Sequence, residues 1–564
     1  MIIDGKKIPN GEVIQADLCI IGGGVAGIGM ALQFIDSGLD VCLLEGGDFE
    51  PNPRTQELAN GDNLGEPYYR LDHARPRYFG GGSNLWAGWC RPLDAIDFEK
   101  RDWIPYSGWP ISREDLASSY VKAQQLCEVA DKSFDALDWS YAMPDLYQVP
   151  YVNDSIQSTV WVGSTPTKFG KRYRQALADA SNLRVYMNSN VTELVTDAPG
   201  GKITRSRVAT LNHNRYEVQA KVFVLLPGAI EAARILLASK QGERQGIGNQ
   251  HDVVGRYFME HPHVVTAKIH LYNRKQSNRA VIPALDYRFI KGAKARLNLE
   301  RPIDGVKFAY TIREKTQREK QLLNYSAHLR TVSPSRNSAG YRSLKLIVAN
   351  MRSMKSFLRQ VKNGGIPDGL GTQLKNLVLN PDDVFRVLYG QVFSRPKILE
   401  LYCQSESVPN PDSRVMISDQ LDELGVPRAV LDWRLSLLDK VSIRESQKII
   451  GELLKQSGIG ELVTEPWVMD DDAEWDRSLI GGYHHMGTAR MGLNPKESVV
   501  DENCKVHSVS NLYVTSTSAF PTCGYANPLL TGLALTLRTA DHIKELLTLD
   551  LELKHQQPAE VLPS

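Results

Sequence analysis

Several things are missing from this chain, and each absence removes a class of function. There is no excess of either charge: 66 Lys and Arg stand against 65 Asp and Glu in 564 residues, a net charge of +1. Proteins that wrap nucleic acid carry a basic surplus, so no nucleic-acid partner is expected. There is no apolar run of the roughly 18 residues a membrane helix needs, the densest stretch being Val222–Leu226, and no membrane span is expected. The seven cysteines (Cys19, Cys42, Cys90, Cys127, Cys403, Cys504 and Cys523) are scattered, with no Cys-x-x-Cys pair. That spacing argues against a zinc ribbon, an iron–sulfur cluster or a disulfide framework. The opening Met1-Ile-Ile-Asp-Gly-Lys-Lys lacks the apolar core of a signal peptide, and a reduced, cytoplasmic setting is the expectation. No internal repeat is evident. What remains, with 42% hydrophobic and 23% charged residues, is an ordinary soluble composition long enough for two joined domains.

The first positive signal begins at Asp17. Asp17-Leu-Cys-Ile-Ile21 is a short apolar run, followed by Gly22-Gly-Gly24-Val-Ala-Gly27 and the apolar-rich Ile28–Ile35. A second run, Val41-Cys-Leu-Leu44, ends in Glu45. This order predicts strand, glycine turn, helix, strand and acid, the pattern of a dinucleotide-binding unit. Gly22 permits the tight turn, Gly24 lets a pyrophosphate approach the backbone, and Gly27 lets the helix pack on the strand. The helix N-terminus offers free N–H groups to phosphates. Glu45 is placed to accept hydrogen bonds from a ribose. The motif does not separate FAD from NAD; the acid only disfavours a 2′-phosphate.

Two further regions stand out. Arg77-Tyr-Phe-Gly80-Gly81-Gly82-Ser83-Asn84-Leu85-Trp86 is too rich in glycine and aromatics for a regular element. It is either a surface glycine loop or a place where backbone lies close against something flat. Toward the C-terminus come Gly482-Tyr-His484-His485-Met-Gly487-Thr488, then Asn511–Pro521, then Tyr525-Ala-Asn527-Pro528, then a helical run to His542. Paired histidines in such a turn serve equally well as helix caps or as an acid–base group, and Asn527 before Pro528 is also a good turn former. Cys523 and Tyr525 are candidate pocket residues with plain packing as the alternative. His261, in Glu260-His261-Pro262, is expected to be structural at a domain seam.

Together these segments resemble the glucose–methanol–choline (GMC) family of FAD-dependent oxidoreductases. The resemblance rests on the GGGVAG turn with Glu45, the FGGGSNLW loop, residues 222–239, the VGRYFMEHP run at 254–262, HHMGTARMG, and the closing NLYVTSTSAFP with ANPLLT. It covers most of the chain in the family's order of motifs, although 270–400 carries none. It implies an α/β fold: a discontinuous Rossmann-like FAD-binding domain, and an α+β substrate domain built on an antiparallel sheet. FAD is the implied cofactor, held by Gly22, Gly24, Gly27, Glu45, Gly81, Gly82, Ser83, Asn84, Asn527 and Pro528. His484 aligns with the family's base, with His485 as its rival, and Asn527 follows 43 residues later to orient the substrate oxygen. No metal is implied. Some relatives bond FAD covalently through a histidine; here that loop carries Leu85, so non-covalent FAD is expected.

The expected domains are 14–110, 165–262 and 478–546 for FAD, 111–164 and 263–477 for substrate, and a loose tail over 547–564. Residues 183–226 alternate as strands added to the FAD domain. Ser112–Asp115 looks like a capped helix start. Residues 341–400 hold an excess of Lys and Arg, with amphipathic helical spacing over 351–362, suiting a solvated face or a docking face for a membrane surface or an electron acceptor. The acidic run Asp470–Asp476 is expected to be an exposed loop.

The expected reaction is oxidation of an alcohol to a carbonyl, followed by flavin reoxidation by oxygen, a quinone or a protein. A sugar, glycoside or polyol is the favoured substrate. His484-His485 in place of His-Pro and the Tyr525–Pro528 ending resemble the sugar-oxidising branch. Glu400-Leu-Tyr402-Cys-Gln404-Ser-Glu406-Ser also interleaves polar side chains that could bind hydroxyls, or simply face solvent. An alkyl or aryl alcohol, a non-redox FAD-containing lyase, and a binding protein with a degenerate site are the alternatives.

Overall fold

Leu18 to Ile21 are shielded on both faces, as a central parallel strand requires, and around them the larger of two domains assembles. The computed structural model describes residues 1–129, 152–165, 167–241, 244–272, 305–331 and 398–556, with short pieces at 134–136, 138 and 285–286. Its first sheet has eight strands. Seven run in the order Ile2–Asp4, Leu183–Met187, Val41–Leu44, Val13–Ile21, Arg215–Leu225, Ile203–Ala209 and Asn190–Thr196; the eighth, Leu512–Val514, pairs with the end of Arg215–Leu225. The pairings from Ile2 through Arg215–Leu225, and that with Leu512–Val514, are parallel; the last two form an antiparallel flap. The strands of 183–226 are therefore partly integral to the parallel sheet rather than only additions to it. Ile2–Asp4, ahead of residue 14, also belongs here.

Among the described residues the second sheet is antiparallel throughout. Its order is Gly460–Thr464, His263–Leu271, Ile398–Ser405, Tyr325–Thr331, Gly305–Ile312, Ile156–Gly163 and Trp89–Cys90, with Leu285–Asp286 joining at Gly305–Ile312. Trp89–Cys90 thus leaves the FAD segment to pair in the substrate sheet. Helix Leu437–Gln456, started by a capping box in which Ser436 and Asp439 satisfy each other's backbone N–H groups, packs on this sheet. Because successive side chains alternate between faces, His263, Gln404 and Ser326 lie side by side, as do His328 and Tyr402, and Lys307 and Trp161. All belong to one face, which meets the C-terminal segment: Tyr525 donates its hydroxyl to Thr159, and its ring lies 5.6 Å from that of Trp161.

The capped start at Ser112–Asp115 is present, with the two side chains bonding reciprocally to each other's segment. The helix that follows, Ala117–Leu126, packs on the C-terminal helix, where the Tyr120 and Thr531 hydroxyls are 2.9 Å apart and Lys122 pairs with Asp541. The C-terminal helix itself runs Leu529–Gln556, well past His542. The expected loose tail from 547 is thus helical over its first part, because 543–556 holds good helix formers and neither Gly nor Pro. Most of the acidic run Asp470–Asp476 is exposed, its backbone carbonyls gathered by Lys440. The candidate amphipathic helix at 351–362 lies outside the described residues. Among the described residues no helix is long and apolar enough to cross a membrane.

Candidate active site

The glycine turn has the shape its residues imply. Gly22 takes φ +110° and abuts the backbone of Leu226, where a side chain would collide. A Cβ on Gly27 would strike the carbonyl of Gly22, so only glycine allows the helix Val25–Gln33 to approach the strand. At Gly24 the opposite holds: a Cβ would meet nothing within 4 Å. Gly24 caps the helix without any side-chain hydrogen bond, leaving the first-turn N–H groups facing this open cradle. Gly81 closes one wall, near Gly24 Cα, and a Cβ on Gly82 would also meet open space. A cradle lined by backbone and an uncapped helix N-terminus suits a pyrophosphate. Glu45 is buried and accepts from Gly23 N at 2.8 Å and Gly47 N at 2.7 Å, keeping lone pairs for a ribose. Burial pushes its carboxyl up, opposed by those N–H groups and by Arg77. These residues fit FAD.

Ser83 and Asn84 shape the loop. Ser83 donates to Gly80 O and accepts from Phe169 N, while Asn84 donates to Phe79 O. Leu85 is exposed. At the far end Pro528 O accepts from Gly532 N as the C-terminal helix begins, which leaves Asn527 just ahead of it.

His484 and Asn527, distant in sequence, meet in space: Asn527 Nδ2 lies 3.0 Å from His484 Nε2. On its other side His484 Nδ1 lies 2.9 Å from His261 Nδ1, and His261 Nε2 lies 3.3 Å from Cys523 O. The roles follow from donor chemistry. Cys523 O can only accept, so His261 Nε2 carries a proton, and the neutral ring then accepts at Nδ1. His484 must therefore donate from Nδ1, which leaves Nε2 with its lone pair toward the Asn527 amide. Burial holds both rings neutral, pushing His261 down to about 4 and His484 well below the ordinary imidazole range. His261, expected only to stabilise a seam, is thus a direct partner of His484.

His485 faces elsewhere. Its Nε2 lies 2.8 Å from the Tyr68 hydroxyl, which donates to Glu260 at 2.6 Å, and its ring lies beside Phe258. Burial pushes it down to about 3. Glu260 also accepts from the backbone N–H groups of His261, Gly482 and His484, each at 2.9–3.0 Å, so one carboxylate clamps the two segments that carry the imidazoles. Burial pushes that carboxyl up to about 7 against those donors.

The antiparallel sheet supplies the opposite wall. Gln404 donates to Tyr525 O at 2.7 Å and to Asn527 Oδ1 at 3.3 Å, fixing the amide's orientation. His263 stands edge-on to His484 with ring centres 5.7 Å apart, and its Nδ1 lies 3.2 Å from the Tyr402 hydroxyl. Tyr525 is bonded to Arg91, and Cys523 to the backbone of Ser407. Of the polar run at 400–407, Tyr402 and Gln404 join this wall, while Glu400 pairs with Arg330 and Glu406 forms a buried ion pair with Arg101. Ligand nitrogens of His261, His263 and His484 all lie within 4.8 Å of one another. Two of the three point at each other through a hydrogen bond, an arrangement that a metal ion would have to break. Sequence reasoning missed Tyr68, Glu260 and His263. Only Glu260, inside a recognised motif, carried a signal that could have found it.

Comparison with known proteins agrees with this architecture. The family model for FAD dependent oxidoreductases matches residues 17–344, more than half the chain, and that for the C-terminal part of GMC oxidoreductases matches 409–536. A 2-methyl-1,2-propanediol dehydrogenase from Mycolicibacterium austroafricanum is 23% identical over 94% of this chain and 95% of its own. A C-glycoside 3-oxidase from Microbacterium trichothecenolyticum is 32% identical over 27% of this chain and 28% of its own. A formate oxidase from Aspergillus oryzae, solved to study modification of its FAD, shares the fold with a TM-score of 0.52, 16% identity, and coverage of 96% of this chain and 99% of its own. With a parallel glycine-turn sheet, an antiparallel substrate sheet and these matches in order along the sequence, the chain belongs to the GMC family of FAD-dependent oxidoreductases, enzymes that act on CH–OH groups.

Proposed function

We propose that His484 is the base that takes the hydroxyl proton from an alcohol whose carbon-bound hydrogen leaves as hydride. The observation that carries this reading is the chain from Asn527 through His484 to His261 and Cys523 O, which leaves the His484 Nε2 lone pair directed at the Asn527 amide. A substrate hydroxyl placed between the two would donate to Nε2 and accept from Nδ2, so one contact removes the proton and the other orients the oxygen. His485 is committed to Tyr68 and leaves the role to its neighbour. FAD, when bound, supplies the hydride acceptor.

A second part of the proposal is that FAD is held without a covalent bond at the glycine loop, since Leu85 has no nucleophilic atom. The third concerns the substrate, a hydroxyl on a sugar, glycoside or other polyol. Tyr402, Gln404 and His263 put several hydrogen-bonding groups on the wall facing His484, as a polyhydroxylated ligand needs. Hydroxyls buried without partners cost about 1–3 kcal/mol each. The relatives named for a glycoside and a diol support the same class. Anaerobic mixing of the yellow holoenzyme with sugars, glycosides, polyols, alkanols and aryl alcohols tests it. Bleaching by members of the first three groups is expected. Bleaching by long-chain or aryl alcohols alone would defeat the polyol reading.

A further inference from the structure

Lys307 sits on the wall of this site. It lies on strand Gly305–Ile312, directly across from Trp161 on Ile156–Gly163, and its ammonium stands 5.1 Å from the Trp161 ring centre. The Trp161 ring in turn lies 5.5 Å from His328 and 5.6 Å from Tyr525, two residues before Asn527. Lys307 is close enough to His263, His328 and His484 to help keep their rings neutral. Among the described residues no carboxylate pairs with it. The neighbouring cation on this face, Arg330, is satisfied by Glu400 at 2.8 Å and lies over the Tyr402 ring. Burial alone pushes the Lys307 ammonium down to about 8, which leaves it charged at neutral pH. A half-buried cation whose described neighbours offer it only an aromatic face is under-compensated, and the group that restores the balance is an anion.

The surroundings narrow the kind of anion. His328 Nδ1 donates to Phe308 O at 2.9 Å, so its neutral ring accepts at Nε2, an atom that has no partner among the described residues. Trp161 Nε1 is likewise without one. One cation, one imidazole acceptor and one indole donor suit a monoanion that also carries hydroxyls. A phosphate dianion would call for more positive charge, and an amino sugar would be repelled.

We propose that Lys307 binds a carboxylate of the substrate, so that the molecule oxidised is a polyhydroxy acid of the uronate or aldonate type, with one of its hydroxyls set between His484 and Asn527. This deepens the proposed sugar or polyol reading and rests on it.

The test compares D-glucuronate, its neutral methyl ester and glucose 6-phosphate. Each is titrated into FAD-loaded protein, with binding followed by calorimetry and flavin absorbance, and flavin reduction is followed anaerobically. The wild type should bind glucuronate roughly tenfold or more tighter than the ester, the equivalent of one charge-assisted contact, and tighter than the phosphate. Lys307→Met should erase that preference with FAD content unchanged, and Lys307→Arg should retain it. Equal binding of acid and ester by the wild type, an equal loss of both in Lys307→Met, or a preference for the phosphate would overturn the carboxylate assignment. Bleaching by neutral sugars but by no acid would overturn it while leaving the polyol reading intact. Were only alkyl or aryl alcohols to bleach the flavin, the polyol reading would fall, and the polyhydroxy-acid proposal with it.

Discussion

His261 and His484 share a hydrogen bond between their Nδ1 atoms at 2.9 Å, and that bond decides which nitrogen of His484 is free. Cys523 O forces the proton of His261 onto Nε2, and the direction passes from ring to ring until the lone pair emerges at His484 Nε2, against Asn527. In the proposed reaction this arrangement makes His261 a positioning residue for His484.

Replacing His261 by Phe should therefore slow flavin reduction by roughly tenfold or more while FAD stays bound, since a misoriented base loses much of the 10²–10⁴ of a positioned one. His261 also helps depress His484, after burial, so the acid limb of the rate profile should move to higher pH in the variant. An unshifted limb would mean that His261 only fills space.

His484→Ala should slow flavin reduction by roughly 10²–10⁴-fold with the cofactor retained. His485→Ala should do far less, because its imidazole is spent on Tyr68. Single-turnover reduction separates the two, and a reversed order would move the base to His485. Asn527→Ala should also slow reduction, through lost orientation of the substrate oxygen.

Acid should act on stability as well as rate. Burial pushes His261 down to about 4 and His485 down to about 3. Their folded pKa values lie below the unfolded value near 6.5, so below that pH the unfolded chain binds more protons. Stability conferred by the neutral rings is complete above about 6.5 and declines as pH falls toward about 4 and then about 3. Denaturant titrations should show this loss, and His485→Phe should flatten part of it. The reduction rate should show no limb from His484 between pH 6 and 8 in stopped-flow traces, so that a change in that window reports Glu260, whose carboxyl burial pushes up to about 7.

Glu45→Ala should weaken FAD binding by roughly 1–3 kcal/mol, the worth of a hydrogen bond to a charged partner. Part of that loss is indirect, because Glu45 also holds Gly23 N and Gly47 N in place. Fluorescence titration of the apoprotein with FAD measures it, and unchanged affinity would remove Glu45 from the site. Acid precipitation of the wild type should release the flavin into the supernatant; yellow pellet would mean that some residue other than Leu85 bonds it.

The parallel domain was open to reading from the sequence because its signal is local. Gly22, Gly24 and Gly27 each answer a backbone constraint within a few residues of themselves, and Leu18–Ile21 declare a strand buried on both sides. His484 and Asn527 could be named from the resemblance of their motifs to those of the GMC family. The identity of their neighbours could not. His261 reaches His484 only because the carboxylate of Glu260 ties residues 260–261 to the turn at 482–484, more than two hundred residues away. Lys307 looks like any strand lysine until the register of Gly305–Ile312 against Ile156–Gly163 turns it onto the Trp161 face, with no acid opposite among the described residues. Chain order determined which chemistry-bearing residues exist and where turns and strands can form. Strand register and the docking of the C-terminal segment on the antiparallel sheet decided which imidazole meets Asn527, which of its nitrogens lacks a proton and which charge it faces, because protonation and charge depend on contacts that sequence distance does not encode.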